Sequence, residues 1–246
     1  MPIFGDYETI GEPLAVINLR GHASTVWRVR KTGAPEGVEW VVKCYVPHRK
    51  PGQVGDEGSL HHDRGLEFLE GVKQVKKVHS GGGSRQLTPI HDLGISPDGV
   101  WYITDYYPRG SLQALIGRRA KMDDAALKQI VRCIVAGCLA LKQSRGFSHG
   151  NLKASNVFLV GKPQPLSKTP MALGDAYPAS ALQMARLDTQ DRREVDELLH
   201  QVMEVQDLHS LGEIILQLVE RRQIRSGYDY NYPITRSDFW DSLGSS

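Results

Sequence analysis

Apolar and polar residues alternate over Val26-Trp27-Arg28-Val29-Arg30, the two-residue period of a half-buried strand. Thr32-Gly33-Ala34-Pro35 then has turn composition, and residues 38–46, rich in Val with Trp and Tyr, predict a second strand. Residues 47–55 read as a loop. Over residues 57–79 Leu66, Leu69, Val72 and Val75 recur at helical spacing. Ser80-Gly81-Gly82-Gly83-Ser84 ends that helix and is too short for a domain linker. It lacks the strand-then-helix setting of a phosphate loop. Two more strands, 93–95 and 100–104, flank the turn signal Ser96-Pro97-Asp98-Gly99.

The second half changes period. After Pro108-Arg109-Gly110, Ser111 is a candidate helix cap. A long helix begins near Asp123 or Asp124, with Leu127, Ile130, Val131, Ile134, Val135, Cys138 and Leu139 forming a broad apolar stripe. Gly146 is its expected terminator. Over 207–222, Leu208, Leu211, Ile214, Ile215, Leu218 and Val219 wrap most of the helix circumference, which predicts a buried helix. Strands first and helices afterwards predict an α+β, bilobal arrangement.

Composition narrows the function classes. The 246 residues are 40% hydrophobic and carry a formal charge of +2, without the basic excess expected of a nucleic-acid binder. No apolar run approaches the roughly 18 residues of a spanning helix, and the first residues lack a secretory pattern, so no membrane partner is expected. Cys44, Cys133 and Cys138 are too few, and odd in number, for a disulfide framework. A reducing, cytoplasmic setting is the expectation. Cys133 and Cys138 read as core packing, and His61-His62-Asp63 as solvated surface rather than metal ligands.

Candidate chemistry sits directly after the long helix. His149-Gly150-Asn151-Leu152-Lys153-Ala154-Ser155-Asn156 resembles the protein-kinase catalytic loop, H-R-D-L-K-x-x-N. His149, Leu152, Lys153 and Asn156 match; Gly150 replaces the Arg and Asn151 the catalytic Asp. Val41-Val42-Lys43 is similar to the strand bearing the kinase nucleotide Lys. Residues 19–26 fall where the Gly-rich loop belongs, with Gly21 kept and Leu19 and Ser24 in place of two glycines. Trp101-Tyr102-Ile103-Thr104-Asp105-Tyr106 resembles the strand entering the hinge. Leu173-Gly174-Asp175-Ala176-Tyr177 is similar to the D-F-G segment, and residues 207–212 to the start of the large lobe's central helix. An A-P-E segment is missing between 175 and 207.

The resemblance implies a bilobal protein-kinase-like fold, with a β-rich N-lobe over 1–107 and a helical C-lobe over 108–246, the latter reduced or incomplete at its C-terminal end. It implies an ATP site using Gly21, Val26, Lys43, Thr104, Asp105, Tyr107, Asn156 and Asp175, with Asn156 and Asp175 as Mg²⁺ ligands. Asn151 and Lys153 occupy catalytic positions, and Glu67 or Glu70 is the candidate partner of Lys43, although one register puts Gly71 there. A neutral amide at 151 is no base near neutral pH. The resemblance therefore implies a pseudokinase, a regulatory or scaffolding module with a protein partner. A weakly active protein or small-molecule kinase, and a structural remnant without nucleotide, stay open as alternatives.

Overall fold

A computed structural model of the chain describes residues 2–19, 22–47, 68–78, 85–96, 99–145, 148–176 and 192–223. The chain divides into two compact units. The first takes residues 1–83, 88–106 and 177–196, and the second takes 84–87, 107–176 and 197–246.

The first unit is built on a seven-stranded antiparallel sheet. Its strands are β1 (Ile3–Phe4), β2 (Tyr7–Thr9), β3 (Ala15–Leu19), β4 (His22–Lys31), β5 (Trp40–Pro47), β6 (Ile90–Ser96) and β7 (Gly99–Asp105). They run in the order β1-β2-β4-β5-β7-β6, with β3 beside β4. The ten-residue β4 organises the unit. One edge pairs with β5, while the other is shared by β3, from Val26 back to His22, and by β2, from Val29 to Lys31. The two-residue period puts Val29, Val42, Cys44, Trp101 and Ile103 on one face, where Phe4 and Tyr7 complete the core.

That core bends the sheet round on itself. Phe4, on the first strand in the order, meets the Trp101 ring edge-on at 6.1 Å. Gly94 on β6 lies under the same indole; a Cβ there would sit 2.5 Å from a ring carbon. Burial raises the pKa of the Tyr7 hydroxyl, and the charges of Asp92 on β6 and of Asp6 add to the rise. The two ends of the strand order thus close around Trp101, and the sheet is a nearly closed barrel. Residues 68–78 form helix α1 against the other face of the sheet. There Leu69 packs with Tyr45 and Val100, and Phe68 stacks on Tyr45 at 5.1 Å.

The second unit holds α2 (Leu112–Gly117), α3 (Asp124–Arg145), the hairpin β8 (Val157–Leu159) and β9 (Met171–Leu173), and, from Glu197 onward, α4 (Arg192–Glu220). Asp123 caps α3, its Oδ1 accepting the Ala126 N–H at 2.7 Å. Gly137 lets β9 approach α3, because a Cβ there would meet the Leu173 side chain at 2.6 Å. No helix among the described residues is long and apolar enough to cross a membrane.

Several expectations need correction. The α+β, bilobal kinase-like architecture is overturned by the nearly closed antiparallel barrel, in a structure whose strands outnumber its four described helices. The physical cause lies in residues 3–19, which the sequence reading left without strands; they supply β1, β2 and β3, and the aromatic core curls the enlarged sheet. The wrapped helix starts at Arg192 rather than near 207. Ile214, Leu218 and Val219 are buried as expected, but Leu208 is 64% exposed. Val135 and Leu139 on α3 are also exposed, and between them and Leu208 lies a shallow apolar cavity of about 130 Å³. Ser111 stands at the start of α2 without a side-chain capping bond. Gly146, Leu66, Gly81 to Gly83 and His61 to Asp63 lie outside the described residues.

If Trp101 joins the two ends of the sheet, Gly94→Ala must displace the indole. Overpacking of this kind costs about 1–3 kcal/mol, and each kcal/mol lowers Tm by roughly 2–4 °C at this size. Gly212→Ala, on α4 with nothing within 4 Å of the added Cβ, is the control and should hold or raise Tm. Thermal melts of both variants test this, and an unchanged Tm for Gly94→Ala contradicts it.

Candidate functional site

The loop after α3 is organised from beneath by a carboxylate on α4. Asp207, 7% exposed, accepts the His149 N–H at 2.6 Å and the Gly150 N–H at 3.0 Å. Two donors converging on one carboxylate fix the local backbone, and Gly150 takes a left-handed φ of +69°. That conformation disfavours a side chain, which explains glycine where the kinase pattern has Arg. His149 then tucks under the loop at 0% exposure, and its Nδ1 accepts the Asn151 N–H at 3.3 Å. The neutral ring must therefore carry its proton on Nε2.

Around this turn the matching residues come together. Asn156, 3% exposed, donates from Nδ2 to the Asn151 carbonyl at 2.8 Å. The Gly174 N–H donates to the Asn156 carbonyl at 2.8 Å, which draws the Asp175 segment to the loop. Asn151 donates from Nδ2 to the Asp175 carbonyl at 3.2 Å, and Asp175 itself has φ +54°. Lys153 is exposed and its carbonyl accepts the Asn156 N–H at 2.9 Å. Tyr107 stacks on Phe158 at 5.2 Å, and its carbonyl accepts the Gly110 N–H at 2.9 Å.

The other candidates belong to the first unit. Val26 lies opposite Lys43 across β4 and β5, and Thr104 lies opposite Val41, two residues from Lys43. The pleat therefore sets Val26, Lys43 and Thr104 on one sheet face. All three are half-buried, and Thr104 Oγ1 is a buried hydroxyl without a hydrogen-bond partner among the described residues. Asp105 pairs through its carboxylate with His91 Nε2 at 2.6 Å. Glu70 is exposed, and its carboxylate binds Lys73 at 3.2 Å and Gln74 at 3.1 Å. Gly71 is buried on α1, while Gly21 and Glu67 lie outside the described residues.

The electrostatics keep the His149 ring neutral and disfavour the charged form of Asp207. Burial, the leading cause, pushes the His149 pKa down to about 4, although the Asp175 charge and the Gly174 backbone oppose it. The ring is neutral near pH 7 but sealed from solvent. Burial pushes Asp207 up to about 6, opposed by the His149 and Gly150 amides and reinforced by Glu204. Among the described residues no group of three or more His, Cys, Asp or Glu side chains is placed to hold a metal ion. Asn156 Oδ1 and the Asp175 carboxylate are oxygen donors of the type Mg²⁺ accepts, on segments tied together by the Gly174–Asn156 bond.

Sequence reading missed the anchoring role of Asp207, which it took for the start of a helix. The available signal was Gly150, a glycine where the loop pattern has none. The sequence matches no model of a known protein family and no curated protein.

Two opposing pH effects follow from these shifts. The folded Asp207 pKa, about 6, stands above its ordinary 3.8, so its contribution to stability is full below about pH 4 and is lost as pH rises through 6. The folded His149 pKa, about 4, stands below 6.5, so its contribution is full above about pH 6.5 and is lost as pH falls through 4. Asp207→Asn removes the first and leaves the second. Urea unfolding between pH 4 and 6.5 should show that variant losing stability on acidification more steeply than the wild type. Parallel pH profiles contradict the assignment.

Proposed function

We propose that the chain is a pseudokinase-type module, acting as a regulatory or scaffolding partner of another protein rather than transferring phosphate. The reading rests on the loop and not on the overall architecture, which departs from the bilobal pattern. The observation that carries it is the network joining His149, Asn151, Asn156 and Gly174 on the Asp207 carboxylate. This network orders a kinase-like loop whose catalytic position holds an amide. Asn151 cannot accept the proton of an incoming hydroxyl, and the nearby imidazole of His149 is buried.

ATP with Mg²⁺ remains the candidate ligand. In the first unit Lys43 would meet phosphate, with Val26 and Thr104 beside adenine. Bound in this way, ATP acts as an effector that favours one conformation, because a ligand shifts an equilibrium by its differential affinity. The three cysteines are free thiols, which suits the cytoplasm. The near-neutral charge supports a protein rather than a nucleic-acid partner.

The test is calorimetric titration with ATP, with and without Mg²⁺, alongside transfer of phosphate to a peptide panel. Loss of the base alone lowers transfer by roughly 10²–10⁴-fold in typical enzymes, so transfer should stay at background whether or not ATP binds. Robust transfer that disappears in Lys43→Ala would overturn the proposal. Absence of ATP binding would favour a module that works without nucleotide.

A further inference from the structure

We infer that Asn151 is a positioning residue, whose side-chain amide clasps the Asp175 backbone to the loop through a bond that the usual carboxylate could not make. Asn151 Nδ2 lies 3.2 Å from the Asp175 carbonyl oxygen. A carbonyl only accepts, so the partner must be a donor, and an ionised Asp offers none. Both backbone polar groups of Asn151 are committed as well: its N–H to His149 Nδ1, and its carbonyl to Asn156 Nδ2. The residue is thus held on three sides, and its amide is aimed rather than free to turn.

The clasped segment is one that needs holding. Asp175 has φ +54°, a left-handed conformation that a non-glycine residue adopts at a cost, and it persists only where surrounding bonds fix it. One such bond is that of Gly174 N–H to the Asn156 carbonyl; the Asn151 clasp is a second, on the other side of the strained residue. An amide rather than a carboxylate at 151 therefore adds a hydrogen bond. A carboxylate at 151 would set acceptor against acceptor, which is worse than making no bond.

This inference stands on geometry alone and does not depend on the kinase reading. Its test compares Asn151→Asp, Asn151→Ala and Asn151→Gln in the full chain. Ala loses one hydrogen bond and should lower Tm by roughly 2–4 °C. Asp, though isosteric, should fall at least as far as Ala, whereas Gln, which keeps the amide donor, should recover part of the loss. Backbone hydrogen exchange should quicken at 173–175 in the Asp and Ala variants and stay unchanged in the first unit. In the wild type, NMR should find the Asn151 side-chain N–H protected from exchange. An Asp variant as stable as the wild type, a uniform rise in exchange across the chain, or an unprotected Asn151 amide in the wild type would each overturn the clasp. Phosphate transfer by Asn151→Asp, measured in parallel, bears on the functional proposal instead.

Discussion

A carboxylate removed from water must find donors, and Asp207 finds them in the backbone of His149 and Gly150. That single arrangement sets the geometry of the second unit's loop. It holds Gly150 in a left-handed turn, folds the imidazole of His149 beneath the chain and presents its Nδ1 to Asn151. From Asn151 the order passes through Asn156 to Gly174 and so to Asp175. Each bond is modest alone, with a net worth of about 0.5–1.5 kcal/mol. Removing the carboxylate would leave one buried and one part-buried donor unmet, which is why the loop depends on Asp207 more than on any one of its own bonds.

The loop that results is ordered by these bonds. The Asn151 amide is no base near neutral pH, and the His149 imidazole is buried and neutral. In the first unit, Val26, Lys43 and Thr104 share a sheet face stiffened by the Trp101 core behind it.

How far this could be read from sequence depended on whether the cause was local. The alternation of 26–30 and 38–46, and the stripe on α3, report burial of one face, and β4, β5 and α3 lie there. The loop residues 149–156 were legible through their spacing, and Gly150 was legible in hindsight as a backbone requirement. The barrel was not. Ile3, Phe4 and Tyr7 are too few and too interrupted to carry a strand period, and they become strands only by pairing with β4 and packing on Trp101. Leu208 misled for the opposite reason: an apolar residue at helical spacing marks a face without saying that anything covers it. The anchoring role of Asp207 spans 58 residues to His149, and no local pattern encodes such a contact.

The account turns on that carboxylate holding the loop backbone as firmly as the core holds its helices. Amide hydrogen exchange of His149 and Gly150 in the unmodified protein measures this directly. The account predicts protection close to that of the buried amides of α3, with exchange only through opening of the unit as a whole. Exchange of the two amides at surface-loop rates, while α3 stays protected, would contradict it.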